Sequence, residues 1–367
     1  MTDADAAGLY IHVPFCSSKC PYCDFFSVTD TGMIDSWLAA VCRELSLCRG
    51  LFPRFETVYF GGGTPSLLSE KQLGCLMRHV CAHATVADNA ECTIEVNPDD
   101  LGREKARSLR ALGFNRLSIG VQSFDERLLH FLQRRHTARQ SRAALAHAAA
   151  AGFAKISIDL MYGIPDQDWR AELVQALEFQ PGHLSCYQLT IKPGTPFYDQ
   201  VRSGSLTMPS DERLAELFLF TDFFLAEAGY GHYEVSSFAH SADQESRHNS
   251  RYWQHLPYLG LGPSAHSFDG RRRWWNVGSV QHYCCTLDSG DVPVAGEEIL
   301  SAEQIHLERL MLGMRTSRGV ARGDVAAGEN RLAQLEREGL LSLQGVRVTP
   351  TARGMLFSDR LPLLLEE

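Results

Sequence analysis

The sequence predicts an α/β fold whose core is a partial, open (β/α)6 barrel. Three observations predict it. Short apolar runs alternate with stretches of helical spacing six times before residue 190. Most of those runs stop at Gly, Pro or Asn, which end strands. The polar residues with chemical potential gather just where the runs stop. Strands separated by helices need crossover connections, so the strands lie parallel. Right-handed crossovers then favour a barrel or a doubly wound sheet, and six units are too few to close an eight-fold barrel.

The elements follow in order. Residues 9–13 form a short apolar run halted by Pro14, and residues 34–47 have helical spacing. Residues 57–60 read as a strand ended by Gly61-Gly62-Gly63. Residues 69–80 are helical, with Ser69 as N-cap. A strand over 93–96 stops at Asn97-Pro98, and the helix over 104–112 closes on Gly113. A strand covers 117–121. The helix over 138–151 closes on Gly152 and leads to a strand over 155–161. The helix over 169–179 stops near Pro181-Gly182, before a sixth strand over 183–189.

Beyond Thr190 the alternation breaks. Pro, Gly and aromatic residues become frequent between 192 and 293, which reads as a sheet extension with loops. From 301 the texture changes again. Residues 301–314 read as an amphipathic helix with a Ser301–Gln304 capping box. A second helix over 331–338 ends at Gly339. Residues 340–343 and 346–349 form a hairpin turning at Gln344-Gly345. Helix followed by hairpin suggests a small, mainly helical, winged-helix-like C-terminal domain. The expected divisions are a barrel core over 1–230, a mixed extension over 231–298 and the C-terminal domain over 299–367.

Composition excludes several function classes. The chain has 367 residues, 44% hydrophobic and 22% charged, so it can bury a core without staples. Its formal net charge of −9 argues against a nucleic-acid surface, although winged helices often bind DNA. The short basic runs at Arg134-Arg135 and Arg271–Arg273 are either solvated surface or local sites for carboxylates or phosphates. No secretory pattern and no stretch of ~20 apolar residues is present, so a cytoplasmic chain is expected. Eleven cysteines in that setting argue against disulfide scaffolding. Most of them, including Cys42, Cys75 and Cys81, read as small buried hydrophobes.

Cys16, Cys20 and Cys23 differ. Their C-x3-C-x2-C spacing gathers three soft thiolates suited to zinc or iron–sulfur. Structural zinc wants a closed set of four ligands, usually two pairs, and Cys284-Cys285 has the wrong spacing for a second pair. Three thiolates suit a cubane better, because they leave its fourth iron open to a small chelating ligand. An amine and carboxylate on one carbon make such a ligand.

Other candidate groups stand at strand ends, where ligands gather in such folds. The glycines of Gly61-Gly62-Gly63-Thr64-Pro65-Ser66 let backbone approach a ligand closely. Glu95, before Val96-Asn97-Pro98, is a carboxylate that needs a partner if buried, such as a ribose hydroxyl. Gln122 ends the fourth strand, Arg134 follows twelve residues on, and Asp159 lies near the end of the fifth.

The segment Tyr10-Ile11-His12-Val13-Pro14-Phe15-Cys16 with Cys20 and Cys23 resembles the radical S-adenosylmethionine superfamily. It is most similar to the oxygen-independent coproporphyrinogen III oxidase group, over nearly the whole chain. The resemblance implies a [4Fe–4S] cluster on Cys16, Cys20 and Cys23, with S-adenosylmethionine beside it. It implies cofactor contacts from Tyr10, Tyr22, Gly62, Gly63, Thr64, Glu95, Gln122, Arg134 and Asp159. Two departures stand out: Gln133 replaces an expected glycine, and Lys192 replaces the usual glutamate.

Within that group the true oxidases continue to a fourth cysteine, where this chain has Phe25 after Asp24. A heme-chaperone branch lacks it too. Arg247-His248-Asn249-Ser250-Arg251-Tyr252-Trp253 looks like the H-N-x-x-Y-W motif linked in that branch to heme binding. This implies heme as cargo, with His248 as axial ligand and His266 as a weaker candidate. It also implies apo-hemoprotein recipients, a low-potential electron donor, and peripheral membrane contact only through recipients. Oxidative decarboxylation of coproporphyrinogen III is the alternative activity.

Overall fold

The computed structural model describes residues 6–366. Six parallel strands lie side by side in chain order: β1 (Ala6–Val13), β2 (Arg54–Gly62), β3 (Val86–Val96), β4 (Arg116–Gln122), β5 (Lys155–Tyr162) and β6 (His183–Gln188). The helices between them are α1 (Ile34–Leu47), α2 (Glu70–His83), α3 (Arg103–Ala111), α4 (Glu126–Phe131), α5 (Ala138–Ala150) and α6 (Trp169–Leu177). Leu9, Ile11 and Val13 of β1, Val58 and Phe60 of β2 and Ile94 of β3 are fully buried, as strands covered on both faces must be. Helices α2 and α5 start on capping boxes, Ser69 with Gln72 and Thr137 with Gln140.

The sheet does not close. Its order runs β12-β11-β10-β9-β1-β2-β3-β4-β5-β6-β8-β7 from edge to edge. The six-unit open barrel expected from the sequence is its centre. Strand β7 (Gly231–Glu234) and β8 (Ser237–Ala239) extend it antiparallel beyond β6. On the other side β9 (Tyr258–Leu261) joins β1 in parallel, followed by antiparallel β10 (His266–Phe268), β11 (Arg272–Asn276) and β12 (Val294–Ile299). Both edges of the barrel are thereby paired.

The sheet extension expected after Thr190 is present, and the stretches expected as loops also carry four helices, which corrects that part of the expectation. The segment contains α7 (Pro196–Arg202), α8 (Asp211–Glu227), α9 (Arg247–Trp253) and α10 (Val280–Asp288). The 17 residues of α8 are rich in Phe and Leu, so no apolar stripe stands out. Its signal was at the ends. Ser210 accepts from Arg213 N as N-cap, Asp211 and Glu212 sit in the first turn, and Gly229 follows at φ +85°.

The C-terminal unit is α11 (Ala302–Gly313), β13 (Val320–Ala321), α12 (Glu329–Arg337), β14 (Leu341–Gln344), β15 (Arg347–Pro350), α13 (Ala352–Met355) and α14 (Leu361–Glu366). Ser301 and Gln304 form the expected capping box. The three strands make a separate sheet, β13-β15-β14, over a core that includes Leu310, Leu332, Val348 and Leu361. A bridge from Glu234 to Thr316 and a bond from Val235 N to Arg315 O join this unit to β7.

Candidate functional site

Cys16, Cys20 and Cys23 lie in the loop after β1. That loop is folded by its own backbone: Cys16 N donates to Val28 O at 3.0 Å and Val28 N to Pro14 O at 2.7 Å. Phe15 pins it, fully buried and edge-on to Trp37 at 5.6 Å. The glycine run packs behind it, with Gly63 N on Val13 O and Thr64 N on Phe15 O, both at 2.8 Å. A Cβ on Gly63 would stand 2.8 Å from Phe15 O and 2.9 Å from Val13 O, and Gly62 has φ +110°. Only glycine tolerates both demands.

The loop roofs a cavity of about 710 Å³ at the strand ends. All three cysteines line it. So do Tyr22, Gly62, Gly63 and Thr64, and from the strands Glu95, Gln122 and Asp159, with Arg134. The alternation of strands and helices thus brings together residues separated by more than 140 positions.

Several buried polar groups stand in the walls. Glu95 accepts from Tyr59 Oη at 2.8 Å and from Gly62 N at 3.1 Å. Burial pushes its carboxyl up to about 7, and nearby Asp159 adds to the rise. Asp159 accepts from Ser118 Oγ at 2.7 Å and Ser157 Oγ at 3.0 Å, and burial raises its pKa too. Arg134 donates to Asn97 Oδ1 at 2.6 Å, Gly120 O at 3.0 Å and Cys20 Sγ at 3.5 Å. Its buried Nε has no partner among the described residues. Gln122 holds a positive φ of 65° and accepts from Tyr187 Oη. Sequence reasoning did not single out Tyr59, Asn97, Ser118 or Tyr187. They lie inside strands or beside named residues, and pairing alone brings them to the wall.

In a cubane each thiolate would bind its own iron, so three thiolates on one loop suit such a cluster. Thr64 Oγ1 donates to Cys16 Sγ at 3.3 Å, and Arg134 reaches Cys20, the kind of sulfur-directed bonds that tune clusters. Burial raises the Cys23 thiol, opposed by the Phe25 backbone N–H and, more weakly, by Lys19. The unpartnered Nε of Arg134 offers a carboxylate a donor. The residues fit a cluster with an amino-acid ligand beside it.

Three expected residues lie elsewhere. Tyr10 packs behind Tyr59, ring centroids 6.1 Å apart, with its hydroxyl 3.1 Å from His12 Nδ1, and is not part of the cavity wall. His248 is only 1% exposed. Its Nδ1 is 2.7 Å from Thr57 Oγ1, its Nε2 is 2.8 Å from Tyr252 Oη, and its ring stacks on Tyr59 at 4.9 Å. Burial lowers its pKa to about 3. Both nitrogens are engaged, so the expected axial ligand is not presented to a heme iron in this conformation. His266 is exposed on β10 and stacks on Trp275 at 5.8 Å, also outside the cavity wall.

The motif instead builds the cavity floor. Arg251 donates to Ala6 O, and Arg247 N to Glu91 Oε1 at 2.8 Å, which seats α9 against the start of β1 and the middle of β3. Asn249, Tyr252 and Trp253 then face the cavity from below. At the mouth Phe25 is 65% exposed, in the position where a fourth cysteine was sought. Lys192 and Gln133 line the same cavity. No described helix is long and apolar enough to cross a membrane.

The chain is similar to several known proteins. The Radical SAM superfamily pattern matches residues 10–178. A protein named heme chaperone HemW from Mycobacterium tuberculosis (strain CDC 1551 / Oshkosh) is 38% identical over 362 residues, 96% of this chain and 93% of its own. The HemW of Bacillus subtilis (strain 168) is 35% identical over 367 residues, 95% and 96% of the two chains. The solved coproporphyrinogen III oxidase HemN from Escherichia coli superposes with a TM-score of 0.83 at 24% identity, covering 99% of this chain and 90% of that one. That last likeness shows the fold. The two relatives, matched over nearly their whole length, place the chain in the HemW family of the radical SAM superfamily.

Proposed function

We propose that the chain binds heme and passes it to apo-hemoproteins, with a [4Fe–4S] cluster on Cys16, Cys20 and Cys23 and S-adenosylmethionine beside it. The observation that carries this reading is the near full-length similarity to proteins named heme chaperones. Phe25 supports it, because the oxidase pattern the sequence resembles needs a cysteine there.

The chain's own residues would act as holders. Arg134, whose buried Nε has no partner among the described residues, would hold an amino-acid carboxylate, and the Gly62-Gly63 backbone would admit the amine end closely. Glu95 and Asp159 take ribose hydroxyls, while Tyr22 and the cluster loop exclude water. A reduced cluster bound there supplies one-electron chemistry to the sulfonium. The recipients, and a low-potential electron donor acting in the cytoplasm, belong to the same proposal.

The test is anaerobic. Reconstituted protein should retain about four irons per chain. It should bind hemin stoichiometrically, and release it to an apo-hemoprotein faster than free hemin exchanges. Offered coproporphyrinogen III with reductant and S-adenosylmethionine, it should make no protoporphyrinogen. Turnover of that substrate would replace the chaperone reading with the oxidase one.

A further inference from the structure

The molecule has a second pocket, on the far side of the cavity floor. It measures about 350 Å³ and lies between α9 and the C-terminal unit. Trp253 and Glu234 line both spaces, so they form the wall between them. Three arginines converge on the second pocket: Arg309 from α11, Arg318 before β13 and Arg347 from β15.

Three carboxylates, Glu234, Glu245 and Asp324, line the same pocket, and only Arg318 is paired with one of them. Arg309 is exposed and has no ion pair among the described residues. Arg347 donates to two neutral carbonyls, Arg318 O at 2.6 Å and Gly319 O at 2.8 Å. Arg318 donates to Glu245 Oε2 at 2.9 Å, yet its side chain is 58% exposed. The opposing carboxylates are Glu245, exposed Asp324 and Glu234. Glu234 is occupied by the Ser236 N–H at 3.0 Å and the Ser236 hydroxyl at 3.1 Å. Two of the three guanidiniums, those of Arg309 and Arg347, thus have no carboxylate partner among the described residues.

Guanidinium forks pair with carboxylates through two parallel bonds, and a half-buried indole offers a flat apolar face. Together they suit a planar aromatic ligand carrying two carboxylates. We propose that this pocket receives the propionate edge of heme, with the macrocycle against Trp253. The inference rests on the heme reading above and says where the cargo is gripped. It also resolves the fate of the H-N-x-x-Y-W motif, whose tryptophan reaches a pocket while its histidine is sealed.

The lining contains no His, Cys or Met, and the hydroxyl of its one tyrosine, Tyr233, is taken up by His183 Nε2 and Ser246 N. Heme held here is gripped by its periphery, and its iron stays free for the recipient's ligand. A cargo held through exchangeable ion pairs can be handed over without breaking a metal–protein bond.

The test is a Soret titration of the full chain with hemin and with hemin dimethyl ester, which lacks the propionate charges. Wild type should bind hemin about tenfold or more tighter than the ester. Arg309→Glu with Arg318→Glu should weaken hemin by a similar factor and leave the ester unchanged. Arg309→Gln, at an exposed and unpaired side chain, should show part of the effect without touching the fold. Melting temperature and cluster absorbance check that the variants are intact. If wild type binds hemin and these variants bind it equally well, the pocket is overturned and the chaperone reading stands. Equal binding of hemin and ester overturns the pocket too. A wild-type chain that binds no hemin overturns both.

Discussion

The imidazole of His248 holds two hydroxyls, Thr57 and Tyr252, on opposite nitrogens, and one aromatic face, Tyr59. Removing it leaves those groups without partners and opens a void beside Gly8, whose absent Cβ would sit 3.1 Å from the ring. His248→Ala should therefore cost about 3 kcal/mol in urea unfolding, while the Soret position and affinity of bound hemin stay as in wild type. A Soret shift in a folded variant would restore the axial-ligand role. The ring also carries a pH dependence. Its folded pKa lies below 6.5, so its contribution is complete above that pH and is lost as pH falls toward about 3. Wild type should lose about 2 kcal/mol on this account by roughly pH 5, and His248→Gln should lose the corresponding slope. Gly63→Ala makes a contrasting prediction. Its methyl would meet two backbone oxygens that fix the cluster loop. The variant should fold but fail to retain most of its iron after anaerobic reconstitution. Full iron and sulfide would show that the loop tolerates displacement.

At the scale of elements, what the sequence disclosed follows from where the signal is local. Ser69 and Ser301 announce their helices because a capping box is written in four adjacent residues. The strand ends were legible because glycine and proline punctuate them, and with them came the cysteines, Glu95, Gln122 and Asp159. Helix α8 was not legible, since Phe-rich turns lack a polar face and Phe is a modest helix former. Its cap predicts a measurable cost: Ser210→Ala should lower stability by about 1 kcal/mol, read from thermal or urea melts, with hemin binding unchanged. An unaffected melt would mean that packing of α8 against β7, not its cap, decides the helix. The role of α9 was illegible for a different reason. Nothing within its seven residues says that their partners are Ala6, Thr57 and Glu91, far away in the chain. A motif read alone offers a histidine; the fold turns that histidine inward and presents the tryptophan.

The whole molecule depends on how the extension is fastened to the open barrel. One fully buried carboxylate, Glu44 of α1, does much of this. It accepts from Gly262 N at 2.8 Å, from Asn276 Nδ2 at 2.5 Å and from the Tyr283 hydroxyl, so it gathers β9, β11 and α10 onto α1. Burial raises its pKa from 4.5 to about 7, with the three hydrogen bonds opposing the rise. The sign follows from linkage. A carboxyl whose folded pKa is raised favours the fold most when protonated, so its contribution is complete below about 4.5 and fades as pH climbs through about 7. The loss is on the order of 3 kcal/mol across that window. Glu95 titrates in the same range and adds to the slope. Stability of the wild type from urea melts should therefore decline between those pH values, apart from the opposing histidine effect at the acid end. Glu44→Gln keeps the volume and removes the titration. A hydrogen bond lost by the amide shifts its curve uniformly; only a lost proton equilibrium flattens it. The variant should show a shallower decline than wild type over that window, by about one proton's worth. Parallel curves would mean that Glu44 stays ionised throughout and that the three donors, rather than a shared proton, hold the extension in place.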